Sequence, residues 1–159
     1  MRSAELNQTT RAQTTSCITT QAMASEAPLA THRGACHCGA VAFEFDAPRD
    51  LVAIDCNCSI CKMKKNTHAI VPQSRFRLLQ GQDALSTYTF NTHRAKHMFC
   101  KVCGVQPFYI PRSNQDGYAI TVACVDPATL DSVTVEPFDG DNWENAYAAS
   151  DISKYSKAD

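Results

Sequence analysis

The chain has 159 residues, a formal net charge of −1, 44% apolar residues and nine cysteines. That length points to one domain with a genuine core, and the apolar share excludes wholesale disorder. A charge so near neutral argues against a dedicated nucleic-acid binder, and no apolar run approaches the roughly 18–20 residues of a membrane span.

Residues 1–31 have no helical or strand periodicity and are rich in Ser, Thr and Gln. They are expected to form a disordered leader. Their composition weakly resembles an organelle transit peptide, which makes residues 1–25 a candidate targeting segment, with Met23 as an alternative start. Cys17 lies here, away from the other cysteines. No apolar stretch of the secretory kind is present, so the cysteines are expected to serve as metal-bound thiolates in a reducing intracellular compartment rather than as disulfides.

A domain is expected over residues 32–145. After Cys36-His37-Cys38-Gly39, apolar Val41, Phe43 and Phe45 alternate with Ala42, Glu44 and Asp46, the pattern of a half-buried strand. Leu51–Asp55 leads into a tight turn carrying Cys56, Cys58 and Cys61. Thr67–Val71 is a strand that stops at Pro72, Phe76 and Leu78 continue the pattern, and Leu85–Phe90 alternates again. Arg94–Phe99 feeds Cys100 and Cys103. Val105–Ile110 is apolar but contains Pro107 and is expected to form an edge strand or a bulge. Tyr118–Val125 is a buried strand after the Asn114–Gly117 turn, Pro127–Leu130 makes a single helical turn, and Ser132–Val135 is the last strand. Asn142–Ala149 is a short helix, and 146–159 ends in a polar tail. Many short strands with frequent turns give a small, mainly antiparallel β domain whose loops carry the cysteines.

The spacing divides the clustered thiols. Cys100-x-x-Cys103-Gly104 has the shape of a zinc knuckle, and Cys36/Cys38, also followed by glycine, is its natural partner in a closed four-sulfur site. Structural zinc contributes roughly 10–16 kcal/mol of apparent binding free energy, against about 5–15 kcal/mol for a whole domain. Cys56, Cys58 and Cys61 remain. Three ligands leave an open position, the arrangement of a catalytic zinc, unless His68 or His97 closes it. Three thiolates on a divalent ion leave a net charge of −1, which suits another soft ligand such as a substrate thiol. Lys62, Lys64 and Lys65 either balance that charge and hold a carboxylate or form an ordinary solvated run. Cys124 is expected to pack as a small core residue and His37 to face solvent or stand behind the ligands. Phe108, Tyr109, Phe138 and Trp143 either wall a pocket or pack in the core.

The segments Gly34-Ala-Cys-His-Cys-Gly-Ala-Val, Asp55-Cys-Asn-Cys-Ser-Ile-Cys-Lys, Lys96-His-Met-Phe-Cys-Lys-Val-Cys-Gly-Val-Gln and Phe138-Asp-Gly-Asp-Asn-Trp-Glu resemble the glutathione-dependent formaldehyde-activating enzyme family, closest to its centromere protein V-like branch. The resemblance implies an Mss4-like (β-tent) fold with zinc-stapled loops and two Zn²⁺ per chain. One would be structural, on Cys36, Cys38, Cys100 and Cys103, and one catalytic, on Cys56, Cys58 and Cys61. It implies a carbon–sulfur lyase of the S-(hydroxymethyl)glutathione synthase type, acting on formaldehyde and glutathione. Where bacterial members carry a Trp-Lys-Pro-like stretch after the third cysteine, this chain has Lys62-Met63-Lys64-Lys65. The expected function is therefore a zinc-dependent enzyme acting on the adduct of a small aldehyde with a glutathione-like thiol. A non-catalytic zinc module for a protein partner or ligand is the alternative. A thiol reductase would need Cys124 as its nucleophile, in an apolar setting that disfavours the thiolate. A homodimer is compatible with the sequence and not required by it.

Overall fold

The computed structural model describes residues 27–157. Residues 1–26, and with them most of the expected leader, Cys17 and Met23, lie outside the described residues, as do 158–159. Ten strands and two short helices alternate along the chain: β1 (Leu29–Ala35), β2 (Ala42–Pro48), β3 (Asp50–Cys56), α1 (Ser59–Lys64), β4 (Thr67–Pro72), β5 (Phe76–Gln80), β6 (Leu85–Tyr88), β7 (His97–Cys100), β8 (Phe108–Tyr109), β9 (Gly117–Thr121), β10 (Ser132–Phe138) and α2 (Trp143–Ala149). Among them no helix is long and apolar enough to cross a membrane.

The strands make a three-stranded sheet in the order β1-β2-β5, a five-stranded sheet in the order β10-β3-β4-β9-β8, and the hairpin β6-β7. The fold is mainly β, as the turn spacing implies. Strand pairing among the described residues is antiparallel except at β10, which runs parallel to β3 from Ser132 opposite Asp50 to Phe138 opposite Cys56. β8 stands at an edge of its sheet, where Pro107 just before it sacrifices no ladder hydrogen bond.

The inner strands of the five-stranded sheet are covered on both faces, while β10 is exposed, and strand alternation assigns each inner side chain to one face. Leu51, Ala69, Val71, Phe108 and Ile120 point into the larger core, where they meet Phe43 and Phe45 of β2. Phe43 meets the ring of Phe108 edge-on at 5.4 Å, and Phe76 stacks on Tyr118 at 4.1 Å. Their sequence neighbours Ile70, Tyr109 and Ala119, together with Ile54 and Cys56, face a second, smaller cluster. The two cysteine groups separate in the same way: Cys36 and Cys100 belong to the first cluster, Cys56 and Cys61 to the second.

Several elements depart from the sequence reading. β1 starts at Leu29, because antiparallel pairing with β2 carries Leu29 across to Pro48. The expected strand over 118–125 ends at Thr121. There the chain turns through Val122–Cys124 so that Val125 can bridge to Gly34; the apolar run has no break that marks this change of course. The turn after Cys56 continues into α1, with Cys58 at its N-cap and Lys65 in the left-handed region at its C-cap (φ 50°).

The polar tail contains a turn over Ile152–Ser156 whose Ile152 and Ser156 are buried. Asn114, 1% exposed, anchors it: its Nδ2 donates to Ile152 O at 3.1 Å and to Ser156 Oγ at 2.8 Å. Asn114→Ala leaves those acceptors without a donor and is expected to destabilise the fold by about 1–3 kcal/mol. A lower urea midpoint with faster tryptic cleavage at Lys154 would report it; an unchanged midpoint would mean that Ile152 packing alone holds the turn.

Candidate metal centres

The sulfurs of Cys36, Cys38, Cys100 and Cys103 all lie within 4.8 Å of one another. Two similar turns build the group. Gly39 N–H donates to Cys36 O and Gly104 N–H to Cys100 O, and both glycines are left-handed, at φ +75° and +77°. Cys38 Sγ stands 3.7 Å from Cys36 Sγ and 3.7 Å from Cys100 Sγ. A tetrahedral ion with bonds of about 2.3 Å to sulfur sets its ligands about 3.8 Å apart, so the donor set fits zinc. Backbone N–H groups, first that of Val105 and then that of Cys38, draw the Cys103 thiol down to about 6.

Cys56 ends β3, Cys58 caps α1 and Cys61 lies in its first turns; their sulfurs also lie within 4.8 Å of one another. Hydrogen bonds from Cys56 and Cys61, followed by those from the backbone N–H groups of Cys61 and Ile60, hold the Cys58 thiol far below its usual range. The same contact pushes Cys56 up to about 11, with Cys58 as the main cause, and Cys61 is driven higher still, chiefly by Cys56. Three sulfurs this close ionise together only around a cation.

Among the described residues no His, Asp or Glu joins either group. His68 and His97, the two candidates for a closing ligand, are turned to other partners. His68 Nε2 is 3.0 Å from Tyr109 Oη, and the His97 ring stacks on Tyr109 at 5.1 Å. Burial lowers the pKa of His68 to about 4, against a backbone contact with Asn66 that raises it. Burial is also the main reason the Tyr109 hydroxyl, which lies against Cys61, stays protonated.

Above the three sulfurs opens a cavity of about 300 Å³, the size of a small-ligand site. His68, His97, Tyr109 and Phe90 form one side; Phe138, Gly140 and Trp143 form another, with Arg112 beside them. Tyr109, Phe138 and Trp143 thus line a pocket, whereas Phe108 packs in the main core because it alternates with Tyr109 on β8. The lysine run stays away. Lys62 pairs with Asp141, Lys64 bonds Gln106, and none of Lys62, Lys64 and Lys65 lines the cavity. His37 is exposed, and Cys124 lies outside both groups with its thiol pushed up to about 11, first of all by burial.

The wall that carries Gly140 is tied to the cysteine turn by Asn57. Its Nδ2 donates to Asp139 at 3.1 Å, its Oδ1 accepts from Asp141 N–H at 3.0 Å, and its N–H donates to Phe138 O at 3.2 Å. Gly140 is pressed against the sulfurs: a Cβ there would sit 2.5 Å from Cys56 Sγ and 2.7 Å from Cys58 Cβ. Sequence reasoning left Gly140 and Arg112 unassigned, though Gly140 lies inside the Phe138–Glu144 segment that it singled out. Gly140→Ala is expected to remove the second metal while leaving the four-cysteine ion in place, so that metal analysis falls from two ions per chain to one. Retention of both ions would show that the wall moves aside.

A similar fold occurs in the crystal structure of a Rhodobacter sphaeroides protein from a structural-genomics programme. It is 35% identical, the match covers 65% of this chain and 99% of that one, and the TM-score is 0.55. The sequence model of the glutathione-dependent formaldehyde-activating enzyme family matches residues 31–139, a span that includes all seven clustered cysteines. The chain therefore belongs to the glutathione-dependent formaldehyde-activating enzyme family.

Proposed function

We propose that this protein is a zinc-dependent carbon–sulfur lyase that joins a small aldehyde to a glutathione-like thiol and, in reverse, parts them. The observation that carries this reading is the three-thiol group at the base of a cavity, with no fourth protein ligand among the described residues. Family membership supports it. Cys36, Cys38, Cys100 and Cys103 would hold one zinc, and Cys56, Cys58 and Cys61 the other. When bound, the second ion supplies a Lewis-acidic position able to keep a substrate sulfur as thiolate.

In the joining direction the thiol S–H bond breaks and gives up its proton, a sulfur–carbon bond forms at the aldehyde carbon, the carbonyl π pair moves to oxygen, and a proton equivalent to the one released joins that oxygen. The chain's own share is to exclude water and to move the proton. Phe90, Phe138 and Trp143 give the cavity apolar sides. His68 lines the cavity, is neutral at physiological pH and is held by Tyr109, so it can relay a proton rather than store one. His68→Gln is expected to slow turnover about 10²–10⁴-fold, the usual weight of general acid–base catalysis, with both ions retained. Unchanged turnover would leave the transfer to water.

Cobalt substitution under anaerobic conditions tests the reading itself. Two cobalt ions per chain, with a sulfur-to-cobalt charge-transfer band that grows as glutathione is added, is the expected result. A spectrum indifferent to every thiol offered would overturn it in favour of a closed, non-catalytic zinc module.

A further inference from the structure

Arg112 is the only Lys or Arg among the described residues that line the cavity. It follows β8 and Pro111, and its guanidinium carbon lies 3.6 Å from the centre of the Trp143 ring, a cation–π stack that fixes the plane of the fork. Its side chain is only 24% exposed, and its Nε is buried without a hydrogen-bond partner. Its Nη2 donates to a carboxylate of Glu144, a side chain that is 75% exposed and so exchanges that contact readily for water. Asp141, the one acid among the described residues that line the cavity, is engaged by Lys62. A partly desolvated cation with a donor to spare, satisfied only by a solvent-facing acid, is an incomplete site for an oxyanion.

The sulfur group supplies the second half of the argument. Three thiolates on a divalent ion carry a net −1, which repels an anionic thiol approaching without a counter-charge. We infer that Arg112 selects thiols that bear a carboxylate, holding that carboxylate while the sulfur sits at the three-cysteine group, and that Glu144 is the chain's own competitor for the same guanidinium. This rests on the thiol-binding reading above and adds to it the residue that would hold the thiol's carboxylate. Trp143 is then a positioning residue, since it acts by keeping the fork flat against the cavity side.

The test uses the full chain loaded with two cobalt ions and reads the charge-transfer band against a matched pair of probes, 3-mercaptopropionate and 2-mercaptoethanol. The wild-type protein is expected to bind the acid about 10- to 100-fold more tightly, as one charge-assisted hydrogen-bonded pair allows. Arg112→Gln should abolish that preference and leave 2-mercaptoethanol within about twofold of its wild-type affinity, while Arg112→Lys should restore part of it. Glu144→Gln should tighten the acid alone, and it keeps the inference testable if the arginine variants lose metal. Equal binding of the two probes by the wild-type protein, or a preference that survives Arg112→Gln, would overturn the inference and leave thiol binding standing. If neither probe alters the band, the thiol-binding reading fails and this inference with it.

Discussion

Crowding of sulfur at two points is the constraint on which the rest of this structure depends. Each group packs sulfurs so closely that all of them can be thiolates at once only around a cation that relieves their repulsion; without one, some stay protonated. The four-cysteine group makes the relief structural, because Cys36 and Cys100 are part of the same buried cluster as Phe43, Phe45 and Phe108. An ion there would join the turn between β1 and β2 to the end of β7, segments that share no strand pairing. The three-cysteine group makes the relief local, spanning only the end of β3 and the start of α1.

What keeps the two groups apart is the period of the β-strand. β4, β8 and β9 are buried on both faces, so a shift of one residue in register would exchange their contents. Val71 and Phe108 would enter the cavity, and His68 and Tyr109 would be forced into the apolar core. The parallel pairing of β10 with β3 adds the last condition. It ends with Phe138 beside Cys56, and so delivers Gly140 to the sulfurs at the distance where no side chain fits.

Much of this was legible in the sequence for physical reasons. Metal-ligand spacing is local, and so C-x-C, C-x-C-x-x-C and C-x-x-C displayed the sulfur groups directly; Pro107 marked an edge or a bulge; alternation located β2, and Pro72 the end of β4. What escaped was set by contacts between distant residues. Nothing near Arg112 reveals that Trp143 will stack on it, and a lysine run adjacent to three cysteines is the more conspicuous source of charge. α1 directs Lys62 toward Asp141 and Lys64 toward Gln106, so proximity in sequence was no guide to proximity in the site. Ile152 was hidden in a polar stretch because its burial depends on Asn114.

The segment that shares the family's sequence pattern closes at residue 139, whereas the cavity does not. Gly140, Asp141, Trp143 and Ile152 all lie beyond that limit and all face the chamber. A fragment trimmed to the shared segment would retain every clustered cysteine and still be a roofless vessel, without one wall of the cavity and without the turn that Asn114 anchors. A change in that last stretch would therefore reshape the chamber while leaving the sulfur framework before it untouched.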